Sequence, residues 1–385
     1  MIFIKVRINV KWEQRKLGEV SKIVRGASPR PIKDPKWFEK DSHVGWIRIS
    51  DVTEQNGRIR HLTQHLSKAG EAKTRVFEQP HLLLSIAASV GFPAINYVPI
   101  GVHDGFLIFL NSKFNINYMF YWLEKFRPLW RKYGQPGSQV NLNSDIVSNT
   151  RLALPKEAEQ SKVSNFLNKV ELLITLQQRK LEQLKQLKKA MLQQLFVDKN
   201  NKQPNLRFKN FNGDWEQRKL GEVIELEDNK RKPVKASKRI PGNIPYYGAN
   251  GVQDYVKGYT HTGEHVLVAE DGANSIFNYP VYFICSPSWI NNHSHVLTGK
   301  RSIISNKFLT YDLKTVPYAK YLVGSGRYKL NAETLKIIPI KLPLLTEQNY
   351  IGSTLSKIDT LITLQQNKLT QLTTLKKYLL QKMFI

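Results

Sequence analysis

Apolar residues recur with a helical period in two separated stretches of the chain. From Glu157 to Phe196 no Gly or Pro interrupts a run dominated by Leu, Lys, Gln and Glu, all strong helix formers. Ile174, Leu181 and Leu195 occupy one seven-spaced row, with Leu184 and Met191 in the other. Lys188 interrupts the first row, and Leu173, Leu176 and Leu187 widen the stripe. Residues 345–384 repeat the pattern, with Ile362, Leu369 and Met383 against Leu372 and Leu379. A 3.5-residue apolar period with polar flanks is coiled-coil patterning. Each stretch predicts a rod of roughly 60 Å at about 1.5 Å per residue, too long to bury its stripe alone. A domain's length of chain separates the two helices, so antiparallel packing on each other is expected. The competing arrangement packs each helix on its own domain.

The pattern between these helices is different. Short strand-like runs stand at Gly45 to Ser50, His81 to Ala88, Gly105 to Leu110, His265 to Glu270 and Val281 to Cys285, with frequent Gly and Pro between them. The apolar run Leu82 to Ile95 carries Ser85, Ser89, Gly91 and Pro93 and reads as a buried strand plus a turn. An aromatic-rich helix is predicted near Asn117 to Lys132, and polar Asp198 to Phe211, with Pro204, reads as a linker. The fold class is α/β (α+β): two mixed α/β domains and two long helices forming an antiparallel coiled coil, with a pseudo-twofold internal repeat. The expected boundaries are 1–154 for the first domain, 155–198 for the central helix, 199–342 for the linker and second domain, and 343–385 for the last helix.

Two repeats organise the chain. WEQRKLGEV occurs at Trp12 to Val20 and again, identical at all nine positions, at Trp215 to Val223. Residues 157–196 and 345–384 align without a gap and share 20 of 40 positions, including LITLQQ at Leu173 to Gln178 and Leu361 to Gln366. Pro155 and Pro343 precede the two copies, and Leu142-Asn143 matches Leu330-Asn331 at the same offset. Between the repeats there is almost no identity. A duplication that keeps its frame and diversifies its inserts has a constant scaffold and unlike readers.

Charge narrows what is read. The 385 residues hold 58 Lys and Arg against 31 Asp and Glu, a net of +27. Segments 1–150, 151–204, 205–340 and 341–385 carry +10, +6, +7 and +4 (22 against 12, 11 against 5, 19 against 12 and 6 against 2). Positive charge spread over every segment suits a protein lying along a long polyanion. The single Cys285 rules out a disulfide framework and any zinc site with two or more thiolates, and points to a reducing compartment. No apolar run approaches the roughly 18 residues of a membrane span. Lys5 and Arg7 break the start of the chain, so no signal peptide is expected. A cytoplasmic protein with no membrane contact is expected.

Phosphate contacts need Lys and Arg, and base readout needs polar side chains on loops or strand edges. In the first domain Arg25, Ser28, Arg30, Lys33 and Lys36 stand in one Pro-punctuated loop, and Gln135, Ser138, Gln139 and Asn141 in another. In the second, Asn229 to Arg239 is the densest basic patch, with Lys230, Arg231, Lys232, Lys235, Lys238 and Arg239. Tyr246, Tyr247 and Asn250 form a second candidate group there, and Ser325, Arg327 and Lys329 a third. Any one of these is equally explained as a solvated side chain. No catalytic set is found. There is no Pro-Pro for a methyltransferase loop, and Arg301 after Gly299-Lys300 spoils a phosphate loop. The acid-x-Lys pairs at Asp34, Glu71 and Asp312 lack an upstream Pro-Asp. His261, His265, His293 and His295 read as polar loop or DNA-facing residues rather than metal ligands. Trp12 and Trp215 read as packing anchors, with Leu17, Val20, Leu220 and Val223 in the cores; docking of a shared partner is the alternative.

The two WEQRKLGEV blocks, each followed at a distance by E-Q and then L-I-T-L-Q-Q-x-K-L-x-Q-L, resemble the specificity subunits of type I restriction–modification systems over essentially the whole chain. The resemblance implies that each variable region is a target recognition domain reading one half of a bipartite, asymmetric double-stranded DNA sequence. It implies a helical spacer, and docking of two modification subunits carrying S-adenosylmethionine and two restriction subunits using ATP and Mg. It also implies that this chain is not itself a catalyst and holds no cofactor. One departure stands at Met1 to Lys11, which matches the lead-in at Leu206 to Asp214 poorly. Two other classes compete: a solitary sequence-specific nuclease or methyltransferase, and a scaffold whose coiled coil binds only protein.

Overall fold

A computed structural model describes residues 12–133, 142–198, 201–324 and 328–384. The chain packs as two units. The first is Met1–Leu176 with Leu369–Ile385, and the second is Gln177–Lys368. Each therefore contains one α/β domain, the beginning of the long helix that follows it, and the end of the other long helix. No described helix is long and apolar enough to cross a membrane.

The duplication is visible strand by strand. In the first unit one sheet has the order Lys22–Arg25, Phe106–Leu110, Leu82–Ser85, Pro93–Asn96, Arg58–Ile59. In the second the order is Ile224–Leu226, Ser294–Gly299, His265–Ala269, Val281–Ile284. The first four positions match in order, and each neighbouring pair is antiparallel in both units. Leu82–Ser85 and His265–Ala269 are fully buried central strands. A smaller three-stranded sheet stands beside each: Gly45–Trp46, Ile100–Val102 and Arg75–Phe77 in one, Gly251–Val256, Pro241–Gly248 and Trp289–Ile290 in the other.

The nine-residue repeat closes each domain on itself. Glu13–Lys16 pairs antiparallel with Arg151–Leu154, and Glu216–Lys219 with Pro339–Leu342. Leu17, Val20, Leu220 and Val223 then turn into the cores. The side chains of both EQRK strands remain exposed. Their identity is not explained by packing.

The long helices span Glu157–Gln194 and Leu345–Met383. A buried glutamine fixes the start of each. Gln160 accepts the Asn115 N–H (2.8 Å) and donates to the Pro155 carbonyl (2.8 Å). Gln348 accepts the Ser305 N–H (2.9 Å) and donates to the Pro343 carbonyl (3.0 Å). Within the second unit the helical stretches run antiparallel. Gln177 accepts from Gln365, while Lys188 pairs with Asp359 at 2.5 Å. Leu181 and Leu195 are buried, and Ile174, Leu184, Met191, Ile362, Leu369, Leu372, Leu379 and Met383 are half-buried.

Lys188, which breaks the apolar row, has a counterpart at Lys376, 188 residues on. Lys376 pairs with Glu171 (2.9 Å) as Lys188 pairs with Asp359, and Glu171 and Asp359 are likewise equivalent positions. Tyr121 and Tyr311 complete the sets, their hydroxyls 2.9 and 2.8 Å from the two carboxylates. In the first unit burial pushes the Glu171 carboxyl up, but Lys376 and Arg58 outweigh it and hold it below its usual range. A half-buried charge at a seam position is tolerable only when paired like this.

The helices also end in the cores. Phe196 packs against Trp215 and Phe308, with ring centroids 6.3 and 5.3 Å away. Its counterpart Phe384 packs against Tyr118 at 5.1 Å, beside which Trp12 stands edge-on at 6.4 Å. So each long helix packs at its start on the domain it leaves, and its far end enters a domain core; the two expected arrangements coexist.

Several local expectations are corrected. Gly45 to Ser50 is not one strand. Only Gly45–Trp46 pairs as a strand, because Asp51 accepts the Arg48 N–H (2.8 Å) and caps the helix Ile49–Glu54. Leu82 to Ile95 holds two strands, since Pro93–Asn96 returns beside Leu82–Ser85. The aromatic helix is Ile116–Phe126, and the chain continues as a tighter 3-10 turn over Arg127–Tyr133, with Pro128 interrupting the hydrogen-bond ladder. Leu173, Leu176 and Leu187 do not widen the buried stripe; they are 46, 49 and 49% exposed. Within the polar segment before the second repeat, described side chains contact the start of the last helix. Arg207 pairs with buried Glu347 (2.8 Å), and Phe208 and Phe211 pack on Tyr350.

Candidate nucleic-acid interface

In the first unit one carboxylate organises the proposed loop. Asp104 accepts from the Ser28 hydroxyl (2.7 Å) and from Arg30 (2.9 Å), while Arg25 donates to the Asp104 carbonyl (2.6 Å). The Ser28 hydrogen bond, with Arg30 and Arg25 nearby, holds this carboxyl below its usual range despite partial burial. Arg25 and Arg30 are exposed, Ser28 half-buried. Lys33 is exposed with no side-chain partner among the described residues, and Lys36 pairs with Asp34 (2.9 Å) over the Trp37 ring. The structure thus brings Arg25, Ser28 and Arg30 together on Asp104 and leaves Lys33 and Lys36 apart. Gln135, Ser138, Gln139 and Asn141 lie outside the described residues, as do Ser325, Arg327 and the lead-in 1–11.

In the second unit the basic patch divides in two. Lys232, Lys235 and Lys238 are exposed with no side-chain ion pair among the described residues. Arg231 points inward. Its guanidinium meets Glu270 (2.7 Å), Asp228 (3.3 Å) and the Ser294 carbonyl (2.8 Å). Burial pushes the Glu270 carboxyl up, but hydrogen bonds from Arg231 and Lys329 bring it below its usual range. Arg239 lies over the Tyr246 ring (4.0 Å) and approaches Asp254 (3.4 Å). Tyr246 is buried, its hydroxyl bonded to the Val234 N–H (2.9 Å), and Tyr247 is half-buried. Lys230 pairs with Glu227, and Lys329 with Glu270 at 3.1 Å. Asn250, exposed at a hairpin tip, bonds to Gly272 and Asn274.

Of the four histidines only His293 stands in a turn and is half-exposed; the other three face inward. His261, His265 and His295 are buried, and the carboxylates absent from their local sequence arrive through the fold. His295 meets Asp228 (2.6 Å) and the Leu330 carbonyl (2.8 Å), and His293 pairs with Asp271. Burial lowers the affinity of His261 for a proton. Asp228, Glu270 and His295 converge closely enough to suit a cation, but Arg231 and Lys329 already supply positive charge to the carboxylates. The organising acids Asp104 and Glu270 carry no local signal that marks them, since each acts on residues distant in sequence; Asp228 joins nearby Arg231 to distant His295.

What the arrangement offers, among the described residues, is two unlike sets of exposed polar and cationic groups on one repeated scaffold: Arg25, Arg30, Lys33 and Lys36 in the first unit, and Lys232, Lys235, Lys238 and Asn250 in the second. The type I restriction modification DNA specificity domain matches twice, over residues 9–186 and 212–374. The chain belongs to this family. A Haemophilus influenzae protein described as a type I restriction enzyme specificity subunit is 46% identical over 142 residues, 37% of each chain. The Escherichia coli type I restriction enzyme EcoprrI specificity subunit is 23% identical over 96% of this chain and 91% of its own. The crystal structure of the S subunit of a type I restriction–modification system from M. genitalium superposes with a TM-score of 0.70 at 14% identity, covering 99% of this chain and 98% of that one. The fold shared with that structure is therefore that of a specificity subunit.

Proposed function

We propose that the chain is the DNA-recognition subunit of a type I restriction–modification complex, without catalysis of its own. Residues 1–154 and 199–342 are the two recognition domains, and residues 155–198 and 343–385 the spacer helices. The observation that carries this reading is the match of the family to both halves of a chain whose scaffold is duplicated and whose inserts are not. The target is then bipartite and asymmetric. Arg25, Arg30, Lys33 and Lys36 on one domain, and Lys232, Lys235 and Lys238 on the other, supply phosphate contacts; Asn250 supplies base readout.

Two modification subunits, carrying S-adenosylmethionine, dock on equivalent surfaces. The support is a set of exposed side chains that the duplication keeps identical. Leu173, Leu176 and Leu187 match Leu361, Leu364 and Leu375, and all six are exposed. The exposed EQRK strands add a second matched pair. Apolar exposure preserved twice suits one partner bound twice. Two restriction subunits, using ATP and Mg, complete the assembly, which works in the cytoplasm. A solitary nuclease or methyltransferase finds no support in the family match.

The test is reconstitution. Purified chain, cognate modification subunits, S-adenosylmethionine and genomic DNA together should give adenine methylation at one sequence. The chain alone should give none. Methylation by the chain alone would overturn the reading.

A further inference from the structure

We infer that Phe277 is a stacking wedge, its ring inserting against the bases of the half-site that the second domain reads. The inference rests on the DNA-recognition reading and adds to it a contact of a different kind from the cations and amides.

Phe277 is 94% exposed. A phenyl ring left in water contributes nothing to the domain's own burial, and here the place inside is already filled. Tyr279, two residues on, donates to the Ala269 carbonyl (2.9 Å) and stacks on Tyr318 with ring centroids 4.1 Å apart. The loop carrying Phe277 is held in position. Asn250 accepts from the Asn274 N–H (2.9 Å) and donates to the Gly272 carbonyl (2.9 Å), and the Asn278 N–H donates to Ser275 (3.0 Å). Asp271 bridges to Lys329 at the loop's other edge. Three segments distant in sequence thus meet at the base of the loop that carries the ring. They present exposed Asn250, Asn274, Asn278, Tyr328 and Lys329, groups suited to base edges and phosphates. A rigidly based, projecting phenyl in such a setting is the form of side chain that enters between base steps or stacks on a base.

The duplication sharpens the point. Glu270 to Pro280 joins two strands whose counterparts in the first unit, Leu82–Ser85 and Pro93–Asn96, are joined by the shorter Ile86 to Phe92. The exposed residues of that shorter turn are Ala87 and Ala88. The wedge therefore belongs to the second reader alone.

The experiment uses the assembled methyltransferase, chain plus modification subunits, on its own target carrying 2-aminopurine at single positions of either half-site. Wild type should raise the fluorescence at a position in the second half-site. Phe277→Ala should abolish that rise and weaken cognate binding roughly 10- to 100-fold, the loss of one base–aromatic stack. Signals in the first half-site and the salt dependence should stay the same. Phe277→Trp should bind within a few-fold of wild type. Because the ring touches no core residue, both variants should melt with wild type. If Phe277→Ala binds within twofold and keeps the fluorescence rise, the ring is ordinary surface and the inference falls. If wild type modifies no specific sequence, the recognition reading fails and takes the wedge with it.

Discussion

At the scale of single residues, the basic patch of the second domain separates into structural and exposed charges. Arg231→Ala leaves half-buried Glu270 to Lys329 and Asp228 to His295, so it should cost about 1–3 kcal/mol of stability and lower the melting temperature. Lys232, Lys235 and Lys238 are exposed, so replacing all three by Ala should leave melting unchanged. It should instead weaken DNA binding and make the slope of log K against log salt shallower by about 2 to 3 units, at roughly 0.9 per phosphate contact. An unchanged slope in a salt titration would show that these lysines face away from DNA. Asp312 gives a pH prediction. Burial pushes its carboxyl from 3.8 to about 7. The folded state then holds a proton that the unfolded state has released, so stability should fall as pH rises from about 4 to about 7 and level off above. Asp312→Asn should remove that fall, worth up to about 4 kcal/mol at pH 8; urea titrations at pH 5 and pH 8 measure it. A wild type equally stable at both would contradict it.

At the scale of elements, the helices form a ruler only if their length sets the distance between half-sites. Adding seven residues after Gln178 and seven after Gln366 keeps each apolar stripe in phase and lengthens the pair by about 10 Å. The target should acquire about 3 extra base pairs between unchanged half-sites, at roughly 3.4 Å per base pair. Methylome mapping reads the spacing directly, and an unaltered spacing would assign the distance to domain docking instead. This scale is also where the sequence was most legible. A seven-residue period over 40 positions is a long signal, and Ile174 to Leu195 lie where that period puts them. The strand Phe106–Leu110 was equally plain because buried strands leave continuous apolar runs. What escaped was long-range. Lys188 looked like a flaw in its row because Asp359 and Tyr311, which complete it, lie far off in sequence. Arg231 looked like a DNA contact because Glu270 cannot be seen from Asn229 to Arg239. Gly45 to Ser50 alternated like a strand, and the cap from Asp51 decided otherwise.

At the scale of the whole molecule, the duplication is the central fact. One scaffold is written twice, down to a glutamine at each helix start, a Tyr–acid–Lys set in each unit and a phenylalanine at each helix end. The sites it carries are unlike: an Asp104-centred loop in the first domain, a lysine patch and the Phe277 loop in the second. Identical frames holding unlike readers cannot present the same contacts to two half-sites. The most direct test is single-molecule mapping of adenine methylation in cells carrying the chain with its modification subunits. The account predicts one bipartite, non-palindromic motif with a fixed spacer, lost when this chain is deleted. A palindromic motif, or one that survives the deletion, would contradict it.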